Sequence, residues 1–141
     1  MARDAENKFF RFNLPVSFHD DFLMMRMLAS TGRSSDVFFV ISHTGRTKEV
    51  IEISEIAVDK GSTVIALTSP GSPLSSICSI SLEVNVPENT DEYMAMTSRI
   101  AHLVILDVLA TGFTLRQGPD FLSHLEKIKS SLKPTRLSKD K

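Results

Sequence analysis

The sequence predicts an α/β domain with a mostly parallel β-sheet, and three features carry that reading. Val37-Phe38-Phe39-Val40-Ile41 and Thr63-Val64-Ile65-Ala66-Leu67 are apolar, β-branched runs that do not alternate with polar residues. Runs of this length and pattern suit strands covered on both faces, as in a parallel sheet. Between them, Thr47 to Lys60 places Val50, Ile51, Ile53, Ala57 and Val58 mostly on one side of a helix, and Gly61 stops it. The result is a strand–helix–strand unit with connections of ordinary length.

The remaining elements come in chain order. Ala2, Ala5, Phe9 and Phe12 recur at helical spacing and predict an opening helix. Leu14 to Phe18 reads as a short strand, with Pro15 placing it near an edge or a strand start. Asp20 to Ser30 reads as a second helix, whose Met24, Met25 and Met27 suit adaptable packing. A short helix is expected after Pro73, and a strand over Ser79 to Val86. Thr90, Asp91 and Glu92 supply a cap and an acidic first turn for a long helix reaching about Thr111. From Ile100 to Ala110 that helix is apolar nearly all round, which predicts burial on several sides and a place in a subunit interface. Gly118-Pro119 opens a last amphipathic helix through Leu132. The domain is thus expected over residues 1–132, with a polar, basic tail over 133–141.

Composition narrows the class of protein. With 141 residues and 42% hydrophobic content, one domain with a substantial core is expected. The 16 basic and 17 acidic residues give no global pull toward nucleic acid or an anionic membrane. A single cysteine, Cys78, rules out an internal disulfide and fits a reducing compartment. Met1 to Phe12 carries Arg3, Asp4, Glu6, Lys8 and Arg11, unlike a signal peptide. No window reads as the ~20 apolar residues of a membrane span, so a soluble, cytoplasmic protein is expected.

The stretch that points to chemistry is Ser42-His43-Thr44-Gly45-Arg46-Thr47, directly after the first buried strand and opening the next helix. Open α/β sheets bind ligands at the carboxyl ends of their strands. Three hydroxyls, on Ser42, Thr44 and Thr47, can donate to phosphate oxygens. Gly45 permits a tight turn that lets successive N–H groups face one ligand, and the helix N-terminus adds donors and partial positive charge. A Ser/Thr/Gly turn in this place also serves as a plain helix cap. It is neither a Walker A loop nor a dinucleotide fingerprint. A second hydroxyl-rich loop, Thr68-Ser69-Pro70-Gly71-Ser72-Pro73-Leu74-Ser75, comes after the next strand and in a parallel sheet emerges on the same edge. Two such loops side by side suggest a pocket for a polar anion.

These residues resemble the Ser-x-Ser/Thr-Gly-x-Thr phosphate loop of the sugar isomerase (SIS) domain, and Ala66-Leu67-Thr68 and Ser72-Pro73-Leu74 resemble the next strand and loop of that domain. The wider pattern is similar to the effector domains of RpiR-type transcriptional regulators of hexose metabolism. Asp4-Ala5, Lys8 to Arg11, Ile41 to Thr47, Met96 to Leu103 and Asp107 to Ala110 carry it, over roughly residues 2 to 132. The resemblance implies a flavodoxin-like, three-layer αβα sandwich. It implies a phosphosugar site at Ser42, His43, Thr44, Gly45 and Thr47, with Thr68, Ser69 and Arg99 beside it. It also implies a sugar-phosphate effector such as 2-keto-3-deoxy-6-phosphogluconate, a homodimer, and operator DNA bound through a separate helix-turn-helix domain. The family's first strand, with its Gly-x-Gly-x-Ser loop, and that DNA-binding domain are not found in this sequence.

Other polar candidates have structural readings beside the chemical one. Glu92 resembles the glutamate that moves a proton in SIS isomerases, yet a first-turn acid also complements the helix dipole. Arg99 suits a carboxylate or phosphate partner, or equally an interface ion pair. His102 and Asp107 sit five apart on one helix and do not share a face, so they read as structural groups rather than a couple. His19 and His124 lack companions at metal-ligand spacing, and no metal or other cofactor is expected. A sensor that binds a sugar phosphate without turning it over is the leading expectation, and an aldose–ketose isomerase or lyase on the same fold the alternative.

Overall fold

The computed structural model describes residues 1–88 and 96–135, and within them the side chains of all but 119, 120, 122 and 135. Six α-helices and three strands run in the order α1 (Ala2–Phe9), α2 (Phe22–Ser30), β1 (Val37–Ile41), α3 (Lys48–Asp59), β2 (Thr63–Thr68), α4 (Pro73–Ile77), β3 (Ile80–Glu83), α5 (Thr97–Arg116) and α6 (Pro119–Ser131) among the described residues. The opening helix tightens into a 3₁₀ turn over Phe10–Phe12, which Asn13 ends in the left-handed region at φ 57°. Asn is one of the few side chains that adopt this conformation readily. Asp21 caps α2 by accepting from the Met24 amide at 2.7 Å.

The sheet is wholly parallel, with order β1-β2-β3 and a register that pairs Val37 with Thr63 and Ile65 with Ile80. Side chains alternate across a strand, so neighbours on β1 report the two faces. Phe38 and Val40 pack with Ala29 of α2 and with Ile53, Ile56 and Ala57 of α3. Phe39 points the other way, toward Phe9 of α1 at 6.3 Å between ring centroids. Phe12 stacks on Phe113 of α5 at 4.5 Å, and Lys8 bridges to Asp107 of α5 at 3.1 Å. Helices therefore cover both faces, giving the αβα sandwich that the sequence predicts.

Three expectations change. Leu14 to Phe18 forms no strand: it runs as an irregular connection, with the Phe18 amide donating to Glu6 at 3.0 Å and the Ser17 hydroxyl 3.0 Å from His19 Nε2. No strand lies beside it to supply a ladder, and among the described residues β1 is an edge of the sheet. The long helix is described from Thr97, while Thr90, Asp91 and Glu92 lie outside the described residues. Nor is that helix buried on several sides within one chain. Only Ser98, His102 and Leu106 are buried, one stripe at four-residue spacing, while Ile100, Val104, Val108 and Leu115 stand exposed. By length and composition alone this 20-residue helix is apolar enough to cross a membrane, contrary to the expectation that no segment is. One such helix does not indicate a membrane span, and its buried stripe faces protein.

Candidate functional site

The β1–α3 loop lies where the parallel register requires, at the carboxyl edge of the sheet. The Ser42 amide extends the ladder by donating to Leu67 at 3.1 Å, and the chain then leaves the strand. Gly45 is buried and turns the loop at φ 59°. A Cβ there would sit 2.6 Å from the Thr68 hydroxyl and closer still to that of Ser72, so only glycine fits. Thr47, extended at φ −67° and ψ 114°, is the N-cap of α3 but makes no side-chain cap bond.

The direction of the loop's backbone decides what it can bind. The His43 carbonyl accepts from the Ser69 amide at 2.8 Å and the Ser69 hydroxyl at 2.7 Å, and the Gly45 carbonyl accepts from the Leu74 amide at 3.2 Å. Two of the loop's carbonyls are thus held by the second loop and the start of α4. Its amides from His43 to Thr47 have no acceptor among the described residues. The hydroxyls of Ser42, Thr44 and Thr47 have no hydrogen-bond partner there either. Free donors gathered at the N-terminus of a 12-residue helix are the groups that an anion could engage.

The second loop is differently employed. The Thr68 hydroxyl is wholly buried, 3.0 Å from the Ser72 hydroxyl and 3.4 Å from the His43 carbonyl. Ser72 also caps α4 by accepting from the Ser75 amide at 3.2 Å. Thr68 and Ser69, both expected at the ligand, each bond the His43 carbonyl of the first loop. Ser72 belongs to this brace; the sequence places it in the second hydroxyl-rich loop, ahead of the proline that starts α4. Arg46 and Arg99 are exposed, and no ion pair or hydrogen bond joins either to the loop.

Helix α5 supplies the other wall. Glu88 takes the Met96 and Thr97 amides at 2.7 Å each, the Ser98 amide at 3.2 Å and the Ser98 hydroxyl in a shorter bond. The Ser98 hydroxyl first, then these amides, hold its carboxyl down at about 2. This cap comes from a residue 8 to 10 positions before the groups it binds, and sequence spacing gives no sign of it. One turn on, His102 is completely buried with its ring centroid 5.7 Å from that of His43. Burial first, then the neighbouring His43, lowers its pKa below the ordinary imidazole value. Asp107 is 68% exposed in its side chain and paired with Lys8, so the two groups do not act together.

The family model of the SIS domain matches residues 1–112. The chain belongs to the SIS domain family. The HTH-type transcriptional regulator HexR of Pseudomonas aeruginosa is 54% identical to this SIS domain over 140 residues, 99% of the chain and 49% of HexR. The solved Vibrio vulnificus NanR protein, complexed with ManNAc-6P, superposes with a TM-score of 0.85 at 26% identity, covering 96% of this chain and 52% of NanR. The sugar isomerase domain of an RpiR transcription factor from Sphaerobacter thermophilus shares the fold, with a TM-score of 0.71 at 14% identity over 92% of this chain and 71% of its own. The SIS chain spans about half the length of HexR.

Proposed function

We propose that this SIS domain is the phosphosugar-sensing part of a cytoplasmic transcriptional regulator of hexose metabolism, with 2-keto-3-deoxy-6-phosphogluconate as its effector. The observation that carries the reading is the β1–α3 loop, whose amides from His43 to Thr47 and three hydroxyls have no hydrogen-bond partner among the described residues. The phosphate sits on Ser42, Thr44 and Thr47 and on the backbone of His43 and Gly45, with Thr68 and Ser69 as the brace. Arg99 approaches the sugar acid only by turning its exposed side chain inward. Identity to HexR supports regulation, and operator DNA is then bound through a helix-turn-helix domain outside this chain. A strand parallel to β1, carrying the Gly-x-Gly-x-Ser loop, completes the sheet on its open edge.

The ligand is sensed and not consumed. His102 and Asp107 are separated, and Asp107 is engaged by Lys8 at the surface. An isomerase needs an acid and a base beside the sugar carbons; the described residues at the loop offer two neighbouring imidazoles, His43 and the buried His102, and the Glu88 carboxylate is taken up by capping α5. Calorimetric titration of the chain with the keto-deoxy sugar phosphate tests the reading. Thr47→Ala is expected to lose ten- to a hundredfold in affinity, about 1.5–3 kcal/mol for a hydrogen bond to a charged group. Unchanged affinity would sink it.

The exposed apolar side of α5 pairs with a second copy. Val104, Val108 and Leu115 flank a shallow groove of about 410 Å³ along this helix, a poor surface to leave in water. Light scattering at tens of micromolar is expected to give a dimer, and Val108→Glu a monomer. A monomeric wild type removes the interface.

A further inference from the structure

Both ring nitrogens of His102 are buried and neither has a hydrogen-bond partner among the described residues. Buried polar groups are nearly always paired, and one that is not calls for an explanation at that spot. The place is informative. His102 lies on the same face of α5 as Ser98, and its nearest ring neighbour is His43 of the phosphate loop. Resting on the reading of that loop as a phosphosugar site, we infer that His102 is a ligand-contacting residue that binds a hydroxyl on the carbon body of the ligand, not its phosphate.

The chemistry selects the hydroxyl. Burial beside a second imidazole keeps His102 neutral, so it presents one N–H donor and one bare nitrogen acceptor. The dianionic phosphoryl group of a sugar phosphate only accepts and leaves the bare nitrogen unpaired. A hydroxyl both donates and accepts, as do the hydroxyls of a sugar chain taken in turn. His43, the neighbouring ring, is half-buried, and among the described residues its ring nitrogens make one contact, 3.5 Å from Nδ1 to the Ser69 hydroxyl. Turning that ring gives up one long, weak contact. His102 thus presents an unpaired polar group that a polyol ligand satisfies and an apolar or purely anionic one does not, which makes it a specificity determinant.

The test compares His102→Leu and His102→Gln with the wild type. Inorganic phosphate binding is followed by phosphorus NMR. Glucose 6-phosphate and 2-keto-3-deoxy-6-phosphogluconate are titrated by calorimetry. His102→Leu is expected to melt at or above the wild-type temperature, because it removes an unpaired buried polar group. It should keep its affinity for inorganic phosphate and lose about tenfold or more for whichever sugar phosphate the wild type binds more tightly. His102→Gln, which keeps a donor and an acceptor, should recover most of that loss. Equal losses for phosphate and sugar phosphate, or no loss for either, would overturn the inference, since His102 then only supports the loop or only fills space. Phosphate binding by the wild type with no preference for either sugar phosphate also overturns it, while leaving the loop's anion site standing. Failure of the wild type to bind even phosphate takes down the loop reading and this inference together.

Discussion

The loops after β1 and β2 carry similar residues, Ser and Thr around one glycine, and spend them in opposite ways. In the first, the hydroxyls of Ser42, Thr44 and Thr47 are free and the amides from His43 to Thr47 have no acceptor among the described residues. In the second, the Thr68, Ser69, Ser72 and Ser75 hydroxyls are all bonded within the protein, to His43, to one another or to α4. Composition alone cannot separate a ligand loop from its brace. The register does: pairing Ile41 with Leu67 brings His43 beside Ser69, so the second loop's donors meet the first loop's carbonyls before any ligand can.

The two loops are most vulnerable at the point where they touch. Gly45→Ala forces a Cβ against the Thr68 and Ser72 hydroxyls and holds a side chain at φ 59°. We expect sugar-phosphate binding to fall more than a hundredfold, with a stability loss of about 2 kcal/mol or more from the left-handed residue and the clash. Wild-type affinity in a calorimetric titration of Gly45→Ala would show that the loop does not hold the ligand in this conformation.

A smaller effect sharpens the division of labour. Thr68→Val keeps the shape of a buried side chain but removes the bonds to Ser72 and His43. A brace residue should then cost about 1–2 kcal/mol in thermal or denaturant unfolding and less than tenfold in affinity. Thr47→Ala should do the reverse, leaving the melting temperature nearly unchanged while affinity falls. If Thr68→Val lost affinity as steeply as Thr47→Ala at constant stability, Thr68 would be a ligand residue after all.

Most of the architecture is legible in the sequence because its elements are decided locally. The apolar run Val37 to Ile41 needs cover on both faces, and α3 has a clear apolar side ended by Gly61. The Leu14 to Phe18 segment has a strand-like sequence, but a strand exists only with a partner, and none is present beside it among the described residues. The apolar character of α5 is legible and its exposure is not, because hydrophobicity says that a face wants covering without saying what covers it. At the site, Gly45 and the three loop hydroxyls can be named from spacing. Glu88 cannot, since it caps a helix that begins at Thr97. His102 reads as a structural group in the sequence because nothing there reports an unmade hydrogen bond.

We propose one central division: the free donors of the β1–α3 loop receive the phosphate while the β2–α4 loop stands behind them. A proton–nitrogen NMR titration of the assigned chain with 2-keto-3-deoxy-6-phosphogluconate reads every amide at once. The amides of His43 to Thr47 should move first and furthest, along one binding curve. Those of Ser69 and Leu74, already bonded to the His43 and Gly45 carbonyls, should move weakly on the same curve. Shifts centred on the second loop, or on residues remote from both, would contradict the claim.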